Sequence, residues 1–268
     1  MSDKNASELF ASGDLTAAIS AVTAVVKKNP TDQQSRGLLA EFLCIAGELE
    51  RADKLLDALG NQNVELAPAL AMWRQVLRAE IARRDFYNSG RVPEFLDPPT
   101  PGIEKVLEAS IALRDGDTGQ AAALLEEAES LRPAVKGTCN GEAFDDLRDL
   151  DDLCATHLEV LTTTGVYYWV ATETVTWIEF SAPERPRDLI WRRAKMAVRD
   201  GPDGEVFIPA VYANPCDDLS DQARLGSKTD WIEADGAPVL GVGQRTFLIG
   251  EEAMPIMQIE SLALEPAC

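Results

Sequence analysis

A short motif recurs near the N-terminus at a spacing that few folds produce. Gly13 and Gly47 each begin a Gly-Asp or Gly-Glu pair, and they lie 34 residues apart. The same offsets then carry a small and an apolar residue in both copies: Ala18 with Val22, and Ala52 with Leu56. A period of 34 residues is typical of tetratricopeptide units, in which two helices cross closely at a small side chain. Pro30 closes the first unit, where proline stops one helix and starts the next.

A third copy begins at Gly116, with Ala121, Leu124 and Pro133 at what we take as the matching offsets. It follows Gly47 by 69 residues, which leaves room for an irregular unit containing a long helix over residues 67–87. Residues 88–102 hold four prolines and two glycines and are predicted to form a loop. The sequence therefore predicts degenerate, stacked helical repeats with a shared core and a concave face. A generic helical bundle stays open as the alternative.

The pattern changes after about residue 135. Residues 144–158 fit a short helix with an apolar stripe and a solvated face of aspartates, Asp149 and Asp151 among them. Residues 165–180 read GVYYWVATETVTWIEF and alternate with a period of two, which predicts a β-hairpin. Further short strands are predicted at 193–198, 206–212, 231–234, 244–248 and 257–261. We therefore expect an α+β protein, with a helical repeat domain at 1–135 and a mostly antiparallel β-rich domain at 136–268.

The charge balance argues against two classes of binding partner. The chain has 25 Lys and Arg against 45 Asp and Glu, a net charge of −20. Such a surface repels phosphate backbones and anionic lipids, so we expect neither nucleic acid nor membrane as a partner. Five scattered cysteines, no paired spacing and no secretory leader favour reduced thiols in the cytoplasm.

Motifs for catalysis are weak. His157 is the single histidine, and Cys154 lies three residues before it, without a nucleophile motif nearby. One histidine and dispersed cysteines do not supply a zinc site, and no phosphate-binding loop occurs. We therefore expect no cofactor, no metal and no enzymatic activity. A small hydrolase that uses Cys154 and His157, or an acidic pair, remains the alternative.

Bulky aromatic residues concentrate in the β-rich half. Because adjacent residues of a strand point to opposite faces, one small sheet cannot cover all of these rings. Some should line a groove or the domain interface, and aromatic residues often dominate binding surfaces. The candidate partner-binding residues are Tyr167, Tyr168, Trp169, Trp177 and Trp191.

Several blocks of the C-terminal half resemble the ImpE/SciE/TagJ family. They are VYYWV and TWIEF within residues 165–180, PERPRDLIW at 183–191, EVFIPAVY at 205–212, RLG at 224–226, TDW at 229–231 and GQR at 243–245. The degenerate repeats fit the same family, so the resemblance covers nearly the whole chain.

This resemblance implies a non-enzymatic, cytoplasmic accessory protein of the type VI secretion system. It also implies a protein partner, the small subunit of the contractile sheath, whose amphipathic N-terminal helix would be bound. A helix of that kind docks through apolar anchors in a groove. A generic repeat scaffold for another peptide is the remaining alternative.

Overall fold

Seven helices form the N-terminal half of the computed structural model, which describes residues 5–216 and 219–266. Three helical hairpins are present, α1–α2, α3–α4 and α6–α7, and the long helix α5 lies between the second and third. This arrangement confirms the predicted tetratricopeptide-like repeats. The helices are α1 Ala6–Ala11, α2 Leu15–Lys28, α3 Gln33–Ala46, α4 Leu49–Gly60, α5 Ala67–Ser89, α6 Pro101–Arg114 and α7 Thr118–Leu131.

The repeated motif forms the turn inside each hairpin. Gly13, Gly47 and Gly116 have φ values of 83°, 83° and 80°, a left-handed conformation that glycine adopts without strain. The alanines at the shared offset, Ala18, Ala52 and Ala121, are fully buried where the helices cross. The apolar position of the third copy is Leu125, which is buried, and not Leu124 as the sequence alignment predicted. The offset of nine residues from the glycine is therefore kept in all three copies.

The C-terminal half is built from antiparallel strands, which confirms the α+β class. The strands are β1 Gly137–Cys139, β2 Glu142–Phe144, β3 Leu147–Asp149, β4 His157–Thr162, β5 Tyr167–Ala171, β6 Val175–Phe180, β7 Trp191–Val198, β8 Asp203–Pro209, β9 Thr229–Ile232, β10 Leu240–Gly243, β11 Thr246–Ile249, β12 Glu252–Pro255 and β13 Ser261–Leu264. A short helix, α8, spans Asp221–Arg224. An eight-stranded sheet has the order β2-β1-β13-β6-β7-β8-β4-β5, beside a three-stranded sheet β12-β11-β3 and a pair β10-β9.

The predicted hairpin over residues 165–180 is wrong. β5 pairs with β4, while β6 pairs with β7 and β13 several strands away. A 3-10 turn over Thr172–Thr174 carries the chain out of one pairing and into the other. The period-two pattern located both strands, but pairing depends on contacts distant in sequence, which the pattern does not contain.

The predicted helix over residues 144–158, with a solvated aspartate face, is also wrong. The segment forms β2, β3, a 3-10 turn at Asp152–Cys154 and the start of β4. Asp149 and Asp151 are fully buried instead of solvated. Asp149 accepts a hydrogen bond from the Tyr212 hydroxyl at 2.7 Å, and Asp151 accepts one from the Gly241 amide at 2.7 Å. These distant partners compensate for the burial of two carboxyl groups.

Two hydrophobic cores lie on opposite faces of the large sheet. On one face, Tyr167, Trp169 and Trp191 pack with residues of α1–α7 in a single continuous core. On the other face, Val160, Met196 and Leu262 pack with Phe247 and Ile249 of the small sheet. The last repeat helix ends at Leu131 and the first strand begins at Gly137, yet the first core joins both halves of the chain. The division at 135/136 stays a prediction, because the halves share one core.

A buried ionic cluster joins the repeats to the sheet. Arg83 of α5 donates two hydrogen bonds to Glu159 of β4, at 3.0 and 2.8 Å, and Arg245 also donates to that carboxylate. The hydroxyl of Tyr167 donates to it at 2.5 Å and that of Tyr87 at 3.2 Å. Burial alone would raise the pKa of Glu159, but the charges of Arg83 and Arg245 hold it well below its usual value. The carboxylate is therefore charged and fixes the position of α5 on the sheet.

Replacing Glu159 with Gln should destabilise the protein strongly, because two buried guanidinium groups lose their shared anion. We expect the free energy of unfolding to fall by about 3–5 kcal/mol in urea denaturation at pH 7. The control is Glu205→Gln, since Glu205 pairs with the solvent-exposed Arg193. That change should cost less than about 1 kcal/mol. Equal losses in the two variants would contradict the anchoring role of Glu159.

Candidate partner-binding surfaces

Three of the five predicted partner-binding aromatics lie in the first core. Trp169 is 1% exposed; its ring stacks on His157 at 3.8 Å between centroids and meets Phe86 edge-on at 4.6 Å. Its indole donates to the Tyr167 hydroxyl at 2.5 Å. Trp191 donates to Glu80 of α5 at 3.2 Å. Tyr167, Trp169 and Trp191 thus occupy the contact between the sheet and the helices.

The other two, Tyr168 and Trp177, are half-buried and lie on opposite faces of the large sheet. Tyr168 packs against the second core. Trp177 precedes Ile178, a residue of that same core, so its side chain points to the other face. The structure therefore does not bring the five aromatics into one groove. Tyr168 lines an open apolar depression on the sheet.

That depression, here called the trough, has a volume of about 410 Å³. It lies on the second-core face, next to the region that the small sheet covers. Gly204 of β8 sits opposite Met196 of β7, and a side chain added at Gly204 would meet nothing within 4 Å. The absence of a side chain there helps to keep the trough open. Its floor consists of Val160, Tyr168, Val170, Met196, Val198 and Val206.

The rim of the trough is formed by β8 on one side and by an apolar loop residue on the other. On β8, Asp203 and Glu205 alternate with Gly204, and the Glu205 carboxylate pairs with Arg193 on the other face of the sheet. Leu96, which is 40% exposed, stands on the loop that follows α5. That loop also closes the edge of the sheet: Glu94 exchanges hydrogen bonds of 3.0 Å with the backbone of Tyr167 and Trp169. The trough is thus open as a surface, whereas the β5 edge beside it is already paired.

A second depression, here called the repeat groove, lies between α3 and α5 and has a volume of about 660 Å³. Leu38, Leu66 and Leu70 line its sides, and Glu41 and Trp73 lie at one end. Residues 183–189, here called the arginine loop, close that end. Arg185 and Arg187 donate to the Glu41 carboxylate at 3.0 and 3.2 Å, and Arg187 lies over the Trp73 ring at 4.3 Å. A loop of the sheet half therefore contributes to a groove of the repeats.

Cys154 and His157 are not arranged for nucleophilic catalysis. The Cys154 sulfur contacts the Tyr87 hydroxyl at 3.6 Å and Arg245 at 3.8 Å, while His157 Nδ1 pairs with the Thr156 hydroxyl at 3.2 Å. Burial raises the pKa of the Cys154 thiol well above its usual value and lowers the pKa of His157 to about 3. Both groups are neutral at pH 7. The pair lacks the thiolate and the thiol–imidazole hydrogen bond that such chemistry needs.

The acidic pair that the structure brings together, Asp149 and Asp151, is equally enclosed. Asp149 accepts a hydrogen bond from the Asp151 amide at 2.9 Å, and its other oxygen lies 3.5 Å from Arg245. Asp151 accepts from the Leu153 amide at 2.8 Å and from the Asn214 side chain at 2.5 Å. Burial, and then the charge of Asp149, raise the pKa of Asp151 to about 7. Both carboxyl groups fix backbone segments of the fold.

Within residues 5–216 and 219–266, no group of three or more His, Cys, Asp or Glu side chains is placed to hold a metal ion. No helix in that part of the chain has the length and apolar character needed to cross a membrane. Cys44, Cys139, Cys154 and Cys216 are free thiols, and Cys268 lies outside the described residues.

Comparison with known proteins identifies relatives over almost the full length. Residues 141–263 match the ImpE protein family, and residues 9–74 match a tetratricopeptide repeat family. The type VI secretion system accessory component TagJ of Pseudomonas aeruginosa is 30% identical over 97% of this chain and 91% of its own length. The crystal structure of protein VPA1032 from Vibrio parahaemolyticus superimposes with a TM-score of 0.91, at 27% identity, over 97% of both chains.

These observations define a tetratricopeptide-like repeat protein whose helices are docked on a C-terminal antiparallel sheet. The matched family segment contains the floor of the trough, the strands around Glu159 and the arginine loop. The chain belongs to the ImpE family, and by homology it is a type VI secretion accessory component. The resemblance inferred from the sequence motifs is thus confirmed.

Cysteine reactivity tests the environment of Cys154. We expect N-ethylmaleimide to label Cys216 in the folded protein, because that residue is exposed. Cys154 should react only after urea unfolds the chain, since its thiol is buried and protonated. Peptide mapping by mass spectrometry distinguishes the two sites. Rapid labelling of Cys154 in the native protein would revive the hydrolase alternative.

Asp151 should give the protein a measurable pH dependence. A carboxyl group whose pKa is higher in the folded state takes up a proton on folding. Its contribution to stability is therefore full below about pH 4 and is lost as the pH rises toward about 7. We compare urea unfolding of the wild type and Asp151→Asn from pH 5 to pH 7. The wild type should lose stability relative to the variant by up to about 1.4 kcal/mol per pH unit. A constant difference would show that Asp151 does not titrate there.

Proposed function

We propose that this chain is a non-enzymatic adaptor of type VI secretion, acting in the cytoplasm, and that it binds the amphipathic N-terminal helix of the small contractile-sheath subunit. The observation that carries the proposal is the trough. Its apolar floor lies on the part of the large sheet that the small sheet does not cover. Membership of the ImpE family supplies the secretion context. The enclosed positions of Cys154 and His157 support the non-enzymatic part.

The chemistry of the trough suits an amphipathic helix. Tyr168, Met196 and the valines of the floor offer flexible and aromatic contacts to apolar residues spaced along one helical face. Among the aromatics predicted from the sequence, Tyr168 is the one we retain as a direct contact.

An order-of-magnitude balance gives binding of moderate strength. A helix that buries about 500 Å² of apolar surface gains roughly 12 kcal/mol at about 25 cal/mol per Å². The loss of translational and side-chain freedom removes a large part of that gain. Micromolar affinity is the expected range.

Calorimetric titration with a synthetic peptide of the sheath subunit's N-terminal helix tests the proposal. Gly204→Lys places an ammonium group above the apolar floor without a steric clash, so we expect at least a tenfold weaker Kd. The matched control, Ala263→Lys, adds the same charge at an exposed position of β13, away from the trough, and should leave the Kd unchanged.

Two outcomes would refute trough binding: full affinity in Gly204→Lys, or equal weakening in both lysine variants. Absence of binding by the wild-type protein would refute the proposed partner. Thermal unfolding of each variant shows whether a loss of binding reflects a loss of structure.

A further inference from the structure

A third cavity, here called the junction pocket, lies where the repeat helices meet the sheet half. Its volume is about 200 Å³, and it shares no lining residue with the trough or the repeat groove. The repeats contribute α3 and α5 to its walls, and the sheet half contributes α8 and the segments before β7 and after β8. The apolar part of the wall consists of Ile45, Ile190, Trp191, Val211, Tyr212 and Ala213.

The junction pocket is lined by more positive than negative charge. Three of its side chains are arginines and one is a carboxylate, Glu80, in a chain whose net charge is −20. Arg83 is held by two hydrogen bonds to Glu159, and Arg84 pairs with Glu80 at 3.0 Å. The third arginine, Arg224, is therefore the cation whose charge a ligand can balance.

Arg84 and Arg224 come from the two halves of the chain and meet at the C-terminal end of α3. Arg84 donates to the Gly47 carbonyl at 3.4 Å, and Arg224 donates to the Ala46 carbonyl at 2.9 Å. Because these carbonyls are adjacent in the chain, the two guanidinium groups lie near each other. Among the described residues, the other acceptor for Arg224 is also a carbonyl, that of Leu219 at 3.3 Å. Both side chains are partly exposed, and each guanidinium has five N–H donors, so donors remain for a ligand.

A carboxylate is the group that matches these donors. It is planar, and its two oxygens can accept hydrogen bonds from two guanidinium groups. The rings of Trp191 and Tyr212 on the opposite part of the lining suit an apolar body attached to that carboxylate. An apolar cavity of about 150 Å³ is large enough for benzene. The junction pocket, at about 200 Å³, therefore has room for a small ring with one carboxylate.

We propose that the junction pocket binds a small organic acid whose carboxylate pairs with Arg84 and Arg224. The bound acid links α5 of the repeats to α8 of the sheet half, so its binding stabilises the docking of the two halves. This site is separate from the trough and independent of the function proposed for it.

Trp191 gives a direct signal for occupation of the junction pocket, because it lines the wall and its indole donates to Glu80 at 3.2 Å. We titrate the 15N-labelled full-length protein with sodium benzoate and with benzamide, a neutral molecule of the same shape. Benzoate should shift the Trp191 indole resonance saturably, with a Kd of about 1 mM or below, and leave those of Trp73 and Trp177 in place. Benzamide should bind at least about tenfold more weakly, because it carries no charge for the guanidinium groups. No shift of Trp191, or equal affinity for both compounds, would overturn the proposal.

Inorganic phosphate distinguishes an organic-acid site from a site for any anion. Phosphate supplies charge but has no apolar body to contact Trp191 and Tyr212, so we expect it to bind more weakly than benzoate. Phosphate binding as tight as that of benzoate would overturn the assignment to organic acids.

A substitution at the exposed mouth of the pocket tests the location without removing a wall. Asn88 of α5 lines the pocket and is exposed. Asn88→Glu places a carboxylate beside the arginines, where it competes with benzoate, so the Kd should rise at least about tenfold. The matched control, Asn88→Gln, is of similar size and uncharged, and it should leave the Kd unchanged. Full affinity in Asn88→Glu, or equal weakening in both variants, would overturn the proposal.

The junction pocket and the trough are tested independently. Gly204→Lys should retain the Trp191 response to benzoate, because Gly204 does not line the junction pocket. Loss of that response would overturn the location proposed for the acid. Failure of the sheath-subunit helix to bind, with benzoate still bound at Trp191, would refute only the function proposed for the trough.

Discussion

The carboxylate of Glu159 is the group on which the arrangement of the two halves depends. It lies fully buried between α5 and the sheet, and it accepts hydrogen bonds from Arg83 and Arg245 as well as from two tyrosine hydroxyls. Buried charges are favourable only where partners are complete, so this cluster permits one docking geometry and penalises others. The aromatic rings of the first core pack around Glu159 between α5 and the sheet, so they are buried and not exposed to solvent.

Fixing that interface also shapes both candidate surfaces. The arginine loop belongs to the sheet half, yet it completes the end of the repeat groove by pairing with Glu41 and covering Trp73. The trough is bordered by Leu96, which belongs to the loop leaving the repeat helix α5. Each surface therefore takes residues from both halves of the chain. Both surfaces therefore keep their shape only while the two halves stay docked.

Much of the fold could be predicted because its signals are local. The 34-residue spacing, the turn glycines and the alanines indicated helical hairpins, and period-two alternation located β5 and β6. The strand predicted at residues 257–261 is wrong over most of its length, because Ile256–Gln258 form a 3-10 turn and β13 begins at Ser261. The five candidate partner-binding residues stay a prediction. Tyr168 lines the trough, whereas Tyr167, Trp169 and Trp191 lie in the first core, a difference that depends on contacts distant in sequence. One signal was available: Glu159 is a charged residue inside the otherwise apolar strand HLEVL, which indicates a buried ion pair.

The sequence by itself determined the class of the protein. The repeat period, the alternation, the acidic balance and the family motifs can all be recognised without knowing which distant residues are in contact. Tertiary structure alone decided which strands pair, which aromatics are enclosed and where open apolar surface remains. The physical reason is that burial and pairing are set by contacts between residues far apart in sequence, such as Arg83 with Glu159 and Arg187 with Trp73. Knowing one residue of such a pair does not tell which distant residue it contacts.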